Sequence, residues 1–90
     1  MRQISHTTQF KRDTKRMQKR GKEFSRFRLL IEALAAGESL EARFRDHPLL
    51  GAYSGARECH VEPDWLRIYE RTDEELILIR TGTHSDLFGR

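Results

Sequence analysis

Cysteine is nearly absent from this chain. Of 90 residues only Cys59 carries a thiol, so no internal disulfide can form, which suits a reducing compartment. Long apolar runs are missing as well. The richest stretches, Leu29-Leu30-Ile31 and Ala33 to Ala36, fall far short of the ~20 residues that cross a bilayer, which excludes a membrane helix. The N-terminus, Met1-Arg2-Gln3-Ile4-Ser5, is not followed by the apolar stretch that a secretory signal requires, so a cytoplasmic location is expected. Repeats, low-complexity segments and linkers are also lacking. A single domain over 1–90 is therefore expected, with one core that buries roughly 60% of the unfolded chain's surface.

What is present is charge, unevenly placed. Residues 1–45 carry 12 Lys/Arg against 5 Asp/Glu and residues 46–90 carry 5 against 9, so a half at +7 is joined to a half at −4. A basic half attracts a polyanion, although charge alone equally fits an ordinary solvated face. The segment Phe10 to Arg20 sets Lys11, Lys15 and Lys19 on one i, i+4 row and Arg12, Arg16 and Arg20 on the next. Like charges at that spacing cost a helix a few tenths of a kcal/mol per pair, a penalty that a bound polyanion or an acidic partner would remove. Phe10, Thr14 and Met17 leave a narrow apolar seam, and Gly21 is the expected stop.

A second helix reads from Lys22 or Glu23 to Ala36, with Phe24, Phe27, Leu30, Ile31 and Leu34 at helical spacing. Gln3 to Thr8 alternates weakly and reads as an N-terminal strand. A loop is expected from Gly37 to Pro48. Beyond it the period changes to three strand-length runs, Arg57 to Val61, Trp65 to Glu70 and Glu75 to Thr81, joined by the turns at 62–64 and 72–74. Connections so short make an antiparallel meander. The expected fold is α+β: a small, antiparallel-rich twisted sheet, N-terminal strand plus three-strand meander, packed on an N-terminal helical hairpin. Strand alternation adds an expectation about faces. With Cys59, Val61, Leu66, Ile68, Ile77 and Ile79 turned to the helices, the opposite face would collect His60, Trp65, Arg67, Tyr69 and Arg80, with Leu76 and Leu78 beside them.

The second half holds three of the four histidines, in the segments Asp46-His47-Pro48-Leu49, Cys59-His60-Val61-Glu62-Pro63-Asp64-Trp65 and Arg80-Thr81-Gly82-Thr83-His84. Metal-free RNA cleavage needs a base near the ribose 2′-hydroxyl, cations around the phosphorane and an acid for the departing 5′-oxygen. Imidazoles suit the proton steps because their ordinary pKa is about 6.5. Zinc sites usually pair ligands two to five residues apart, and only His60 with Asp64 approaches that, so no metal or other cofactor is expected. Cys59 reads as a buried small hydrophobe; His6 reads as a surface or capping residue.

Together, DHPL at 46–49, CHVEPDWLRIY at 59–69 and RTGTHSDLFG at 80–89 closely resemble the YafQ-type toxins of the RelE/ParE toxin–antitoxin superfamily. The resemblance implies a ribosome-dependent endoribonuclease that cuts mRNA in the decoding site, held inactive by a cognate antitoxin, with the 70S ribosome (rRNA) and mRNA as partners. It implicates His47, His60, Asp64, Arg80, His84 and Phe88, with Trp65 beside them. Within that set, His84 is the expected acid and His60 or Asp64 the base, with His47 a second proton carrier or phosphate binder. Arg80 is expected on the scissile phosphate. Phe88 and Trp65 are candidates to stack on a splayed base, for about 1–3 kcal/mol each. Lys11, Lys15, Arg16 and Lys19 are expected on RNA backbone. Competing readings are a non-catalytic inhibitor, as in superfamily relatives that poison a DNA topoisomerase, and a plain RNA-binding module.

Overall fold

The computed structural model describes residues 1–89. Its elements are β1 (Gln3–His6), α1 (Thr8–Lys19), α2 (Ser25–Ala35), β2 (His47–Pro48), β3 (Arg57–Glu62), β4 (Trp65–Arg71), β5 (Glu75–Gly82) and α3 (His84–Phe88), with single 3-10 turns at Ala42–Phe44 and Gly51–Tyr53. Five strands form one sheet in the order β1-β5-β4-β3-β2. β1 runs parallel to β5 and every other pair is antiparallel. The α+β class, the N-terminal strand, the two helices and the meander all match the expectation. The stretch expected as plain loop, Gly37 to Pro48, instead contains the first 3-10 turn and β2, and neither the second 3-10 turn nor α3 was foreseen.

Thr7 starts α1 because its hydroxyl accepts the Phe10 N–H at 2.9 Å, satisfying one of the amides a helix start leaves open. The same hydroxyl donates to the Ile79 carbonyl at 2.7 Å, which ties that start to β5. Phe10 and Met17 are buried as the seam requires, and Asp13 between them is buried too. On α2, Phe27, Leu30 and Leu34 turn to the sheet. With Phe24, Phe44, Cys59, Val61, Trp65, Tyr69, Leu76 and Leu78 they form the main core.

Two expectations about strand faces fail here. Trp65, Arg67 and Tyr69 belong to the helix-covered side, and so do Leu76 and Leu78. Leu66, Ile68 and Ile79 lie instead in a second cluster with Ala56, Leu87, Leu49 and Tyr53, so the far face is partly roofed by the 49–56 segment and α3. The physical reason is pairing. Cys59 opposes Arg67 and Glu58 opposes Ile68, and directly opposed residues share a face, so a helix-facing Cys59 forces a helix-facing Arg67. Bulges then reset the alternation: Val61 is skipped between the His60–Leu66 and Glu62–Trp65 pairs, and Ile79 between Ile68–Arg80 and Tyr69–Leu78. The second bulge moves Arg80 to the face of Ile68 although Leu78, two residues earlier, points to the helices.

Arg45 closes the first 3-10 turn in the left-handed conformation, φ 47° and ψ 46°, which costs a residue with a Cβ about 1–2 kcal/mol. It is the one non-glycine residue with positive φ among the described residues.

Candidate active site

His47 stands on β2, directly opposite Glu58 on β3. Asp46 anchors that short strand by accepting from the Tyr69 hydroxyl at 2.5 Å and from Arg57 Nε at 3.2 Å. Glu58 is nearly buried, and its Oε2 lies 3.0 Å from His47 Nε2 and 3.5 Å from His60 Nε2. Its Oε1 is buried without a hydrogen-bond partner. Sequence reasoning missed Glu58, although Glu-x-His on a strand places both side chains on one face.

His84 opens α3. Thr83 caps that helix by accepting the Asp86 N–H at 3.1 Å, while Asp86 accepts the Thr83 N–H at 3.0 Å. Asp86 is also held by Arg20 of α1 through two contacts, 2.6 and 3.0 Å, so its carboxyl titrates well below the ordinary carboxylate range, chiefly because of Arg20. Gly82 suits this corner twice over: its φ of 155° disfavours a side chain, and a Cβ there would lie 2.9 Å from Asp86 Cβ. At the hairpin end, Asp64 accepts the His84 backbone N–H at 2.9 Å and faces His84 Nδ1 at 2.6 Å. Those two contacts hold the Asp64 carboxyl below its ordinary value and leave His84 Nε2 turned away from it.

The imidazoles therefore form a row. Ring centroids are 6.2 Å apart for His47 and His60 and 5.7 Å for His60 and His84, with Glu58 between the first two rings and Asp64 against the third. Tyr53 and Phe88 lie edge to face at 6.3 Å, and Phe88 is exposed.

Arg80 is brought to the same face, but its guanidinium is taken. Nε donates to Asp13 Oδ2 at 2.7 Å and Nη2 to Asp13 Oδ1 at 3.2 Å, which leaves Nη1 toward the Tyr53 hydroxyl at 3.4 Å. Asp13 is fully buried and also accepts from Thr81 N–H, Gln9 and Arg16. An acid on the apolar seam of α1 signals such a partner, because a buried carboxylate without one is costly.

Trp65 is corrected outright. It is fully buried, parallel to Phe27 at 5.1 Å and edge-on to Phe24 at 5.1 Å, and its Nε1 donates to Thr81 Oγ1 at 3.0 Å. No face is free for a base, and the residue is core. Arg67 is likewise buried, donating to the Phe27 carbonyl with its guanidinium 4.2 Å over the Phe27 ring, and burial lowers its pKa to about 10. Burial pushes the Cys59 thiol up to about 11, the behaviour of an inert core cysteine. Of the α1 cations, Arg16 is paired with Asp13 and Arg20 with Asp86; Lys11, Lys15 and Lys19 are exposed.

Spacing along the chain singled out His60 with Asp64 as neighbouring donors, and the structure groups a different set. His47, Glu58 and His60 offer ligand atoms within 4.8 Å of one another. Strand pairing, which spacing along the chain cannot reveal, creates that trio.

Residues 2–89 match the family model described as the bacterial toxin of type II toxin–antitoxin system, YafQ. The chain belongs to the YafQ toxin family. It is 44% identical to the mRNA interferase toxin YafQ of Escherichia coli K12, over 98% of this chain and 97% of that protein. It superposes on YafQ in the crystal structure of the E. coli DinJ–YafQ toxin–antitoxin complex with a TM-score of 0.91, at 44% identity, covering 98% of each chain. A copper-bound mutant toxin from Helicobacter pylori gives a TM-score of 0.93 at 36% identity, covering 98% of this chain and all of that one.

Proposed function

We propose that this YafQ-family toxin, an mRNA endoribonuclease, cuts messages on the translating ribosome by metal-independent acid/base attack of the ribose 2′-hydroxyl. The observation that carries the reading is the row of three imidazoles, with Glu58 between the first two and Asp64 against the third. His60 removes the 2′-hydroxyl proton as the oxygen bonds to phosphorus. His84, oriented through Nδ1 by Asp64, gives its Nε2 proton to the 5′-oxygen as that P–O bond breaks, leaving a 2′,3′-cyclic phosphate and a 5′-hydroxyl. Asp64 is the orienting carboxylate rather than the base, because its accepting oxygen is committed to His84. Both ring nitrogens of His47 face acceptors, Pro48 O at 3.1 Å and Glu58 Oε2 at 3.0 Å, so in this reading His47 meets the substrate only by exchanging one of those contacts. Arg80 presents only its Nη1 edge to the substrate, and Phe88 stacks on a base.

The exposed lysines of α1 dock on rRNA phosphates in this reading, and the protein works in the cytoplasm where ribosomes are. Its partner in the resting state is a cognate antitoxin, as the DinJ–YafQ complex of the relative suggests, with an acidic or amphipathic segment wrapping the helices or a sheet edge. Primer extension on translated messages should show discrete cuts that vanish with His84→Ala or His60→Ala. Growth inhibition that survives either change in a folded protein would leave a non-catalytic inhibitor in its place.

A second reading rests on the trio His47, Glu58 and His60. Two imidazoles and a carboxylate suit a transition-metal ion, and a structural relative is copper-bound. An ion held there would occupy the groups needed for proton transfer. Added Cu2+ should then quench cleavage and a chelator restore it; cleavage lost on chelation alone would instead favour metal-assisted chemistry.

A further inference from the structure

Beside the imidazole row lies a hollow of about 340 Å³ bounded by Arg26 of α2, Arg43 and Arg45 of the first 3-10 turn, His60, Glu62 and Pro63. Its electrostatics are one-sided. Glu62, the one carboxylate on its wall, is paired with Lys22 at 2.9 Å. Arg43 lies over the Phe44 ring at 4.6 Å and reaches only the exposed Glu41. Arg26 and Arg45 have no hydrogen bond or ion pair from their side chains among the described residues. Arg26 and Arg45 thus stand unpaired beside Arg43 on one wall of the hollow, and like charges gathered there favour a bound anion.

The backbone points the same way. Arg45 occupies the left-handed position that glycine fills without strain. An arginine there makes the turn less stable than a glycine would, and such strain is a mark of functional positions.

We propose that Arg26, Arg43 and Arg45 form a phosphate subsite that holds an RNA phosphodiester next to the one being cut. This rests on the cleavage reading above, since His60 bounds the hollow and a strand laid along the imidazole row reaches it. Guanidiniums are suited to the task, because their planar forks match phosphate oxygens. The subsite positions the strand and takes no part in proton transfer.

The test is binding of a fluorescent, non-cleavable 2′-O-methyl oligoribonucleotide across a KCl series, with thermal melting run in parallel. Arg45→Gly should weaken binding about 3–10-fold at low salt and reduce the slope of log K against log[salt] by about 0.7, with melting unchanged or raised. Arg26→Gln, on the exposed side of α2, should act in the same direction. An oligonucleotide that does not bind the native protein, or binds both variants with native affinity and slope, overturns the subsite. So does a loss confined to antitoxin binding, which would assign the arginines to the protein partner. Weaker binding by Arg45→Gly while His84→Ala still cuts RNA would sink the acid/base assignment and leave the subsite standing.

Discussion

The two faces of the sheet hold different kinds of polar group. On the helix-covered face, Trp65 spends its N–H on Thr81, and Asp13 satisfies Arg80, Thr81, Gln9 and Arg16 at once. On the other face, Glu58 keeps a buried oxygen without a partner, and His84 holds Nε2 clear of the Asp64 contact. Buried polar groups are normally satisfied. Unpartnered buried atoms occur on both faces, Glu58 Oε1 on one and Arg67 Nε and Nη1 on the other, but only Glu58 stands against the imidazole row.

The strongest way to break the contrast is to move chemistry without stability. His84→Ala should lower the cleavage rate about 10²–10⁴-fold with melting nearly native; a large drop in melting temperature would show that the open face is structural after all. The converse is Trp65→Ala, which should cost about 3–5 kcal/mol of stability, read by urea denaturation. Stability near native with lost cleavage would restore Trp65 to the substrate face. A smaller effect joins the two faces at Arg20, whose ion pair with Asp86 steadies the helix that carries His84. Because Asp86 is shifted below the ordinary carboxylate value, the pair's contribution is complete above about pH 4 and fades as acid drives the pH down through the lowered folded value. Arg20→Gln should lower stability slightly at pH 7 and flatten part of the native protein's loss of stability in acid. Least affected should be Lys15→Glu, within about 0.5 kcal/mol of native stability, while ribosome association weakens and becomes less salt-dependent. Unchanged association across a salt series would remove α1 from the docking surface.

Local pattern made most of the fold legible. Helical spacing located α1 and α2, and β-branched runs located β3, β4 and β5, because each element's apolar period reports the surface it must bury. β2 escaped because two residues carry no period, and α3 because five residues hold only one buried apolar side chain, Leu87. The face of Trp65 escaped for a different reason. Alternation within β4 holds, but which of its faces the helices cover is set by the register that puts Arg67 opposite Cys59. Glu58 escaped because its role depends on β2 lying beside β3.

From sequence alone, then, came the longer elements, the family resemblance and the residue types that fit proton transfer to RNA. These are local properties of spacing and chemistry. Tertiary structure decided which of them meet: His47 with Glu58 and His60, Asp64 with His84, and Arg80 with Asp13 rather than with open solvent. Strand register, two bulges and one ion pair between α1 and β5 made those choices, and each depends on contacts between residues far apart in the chain.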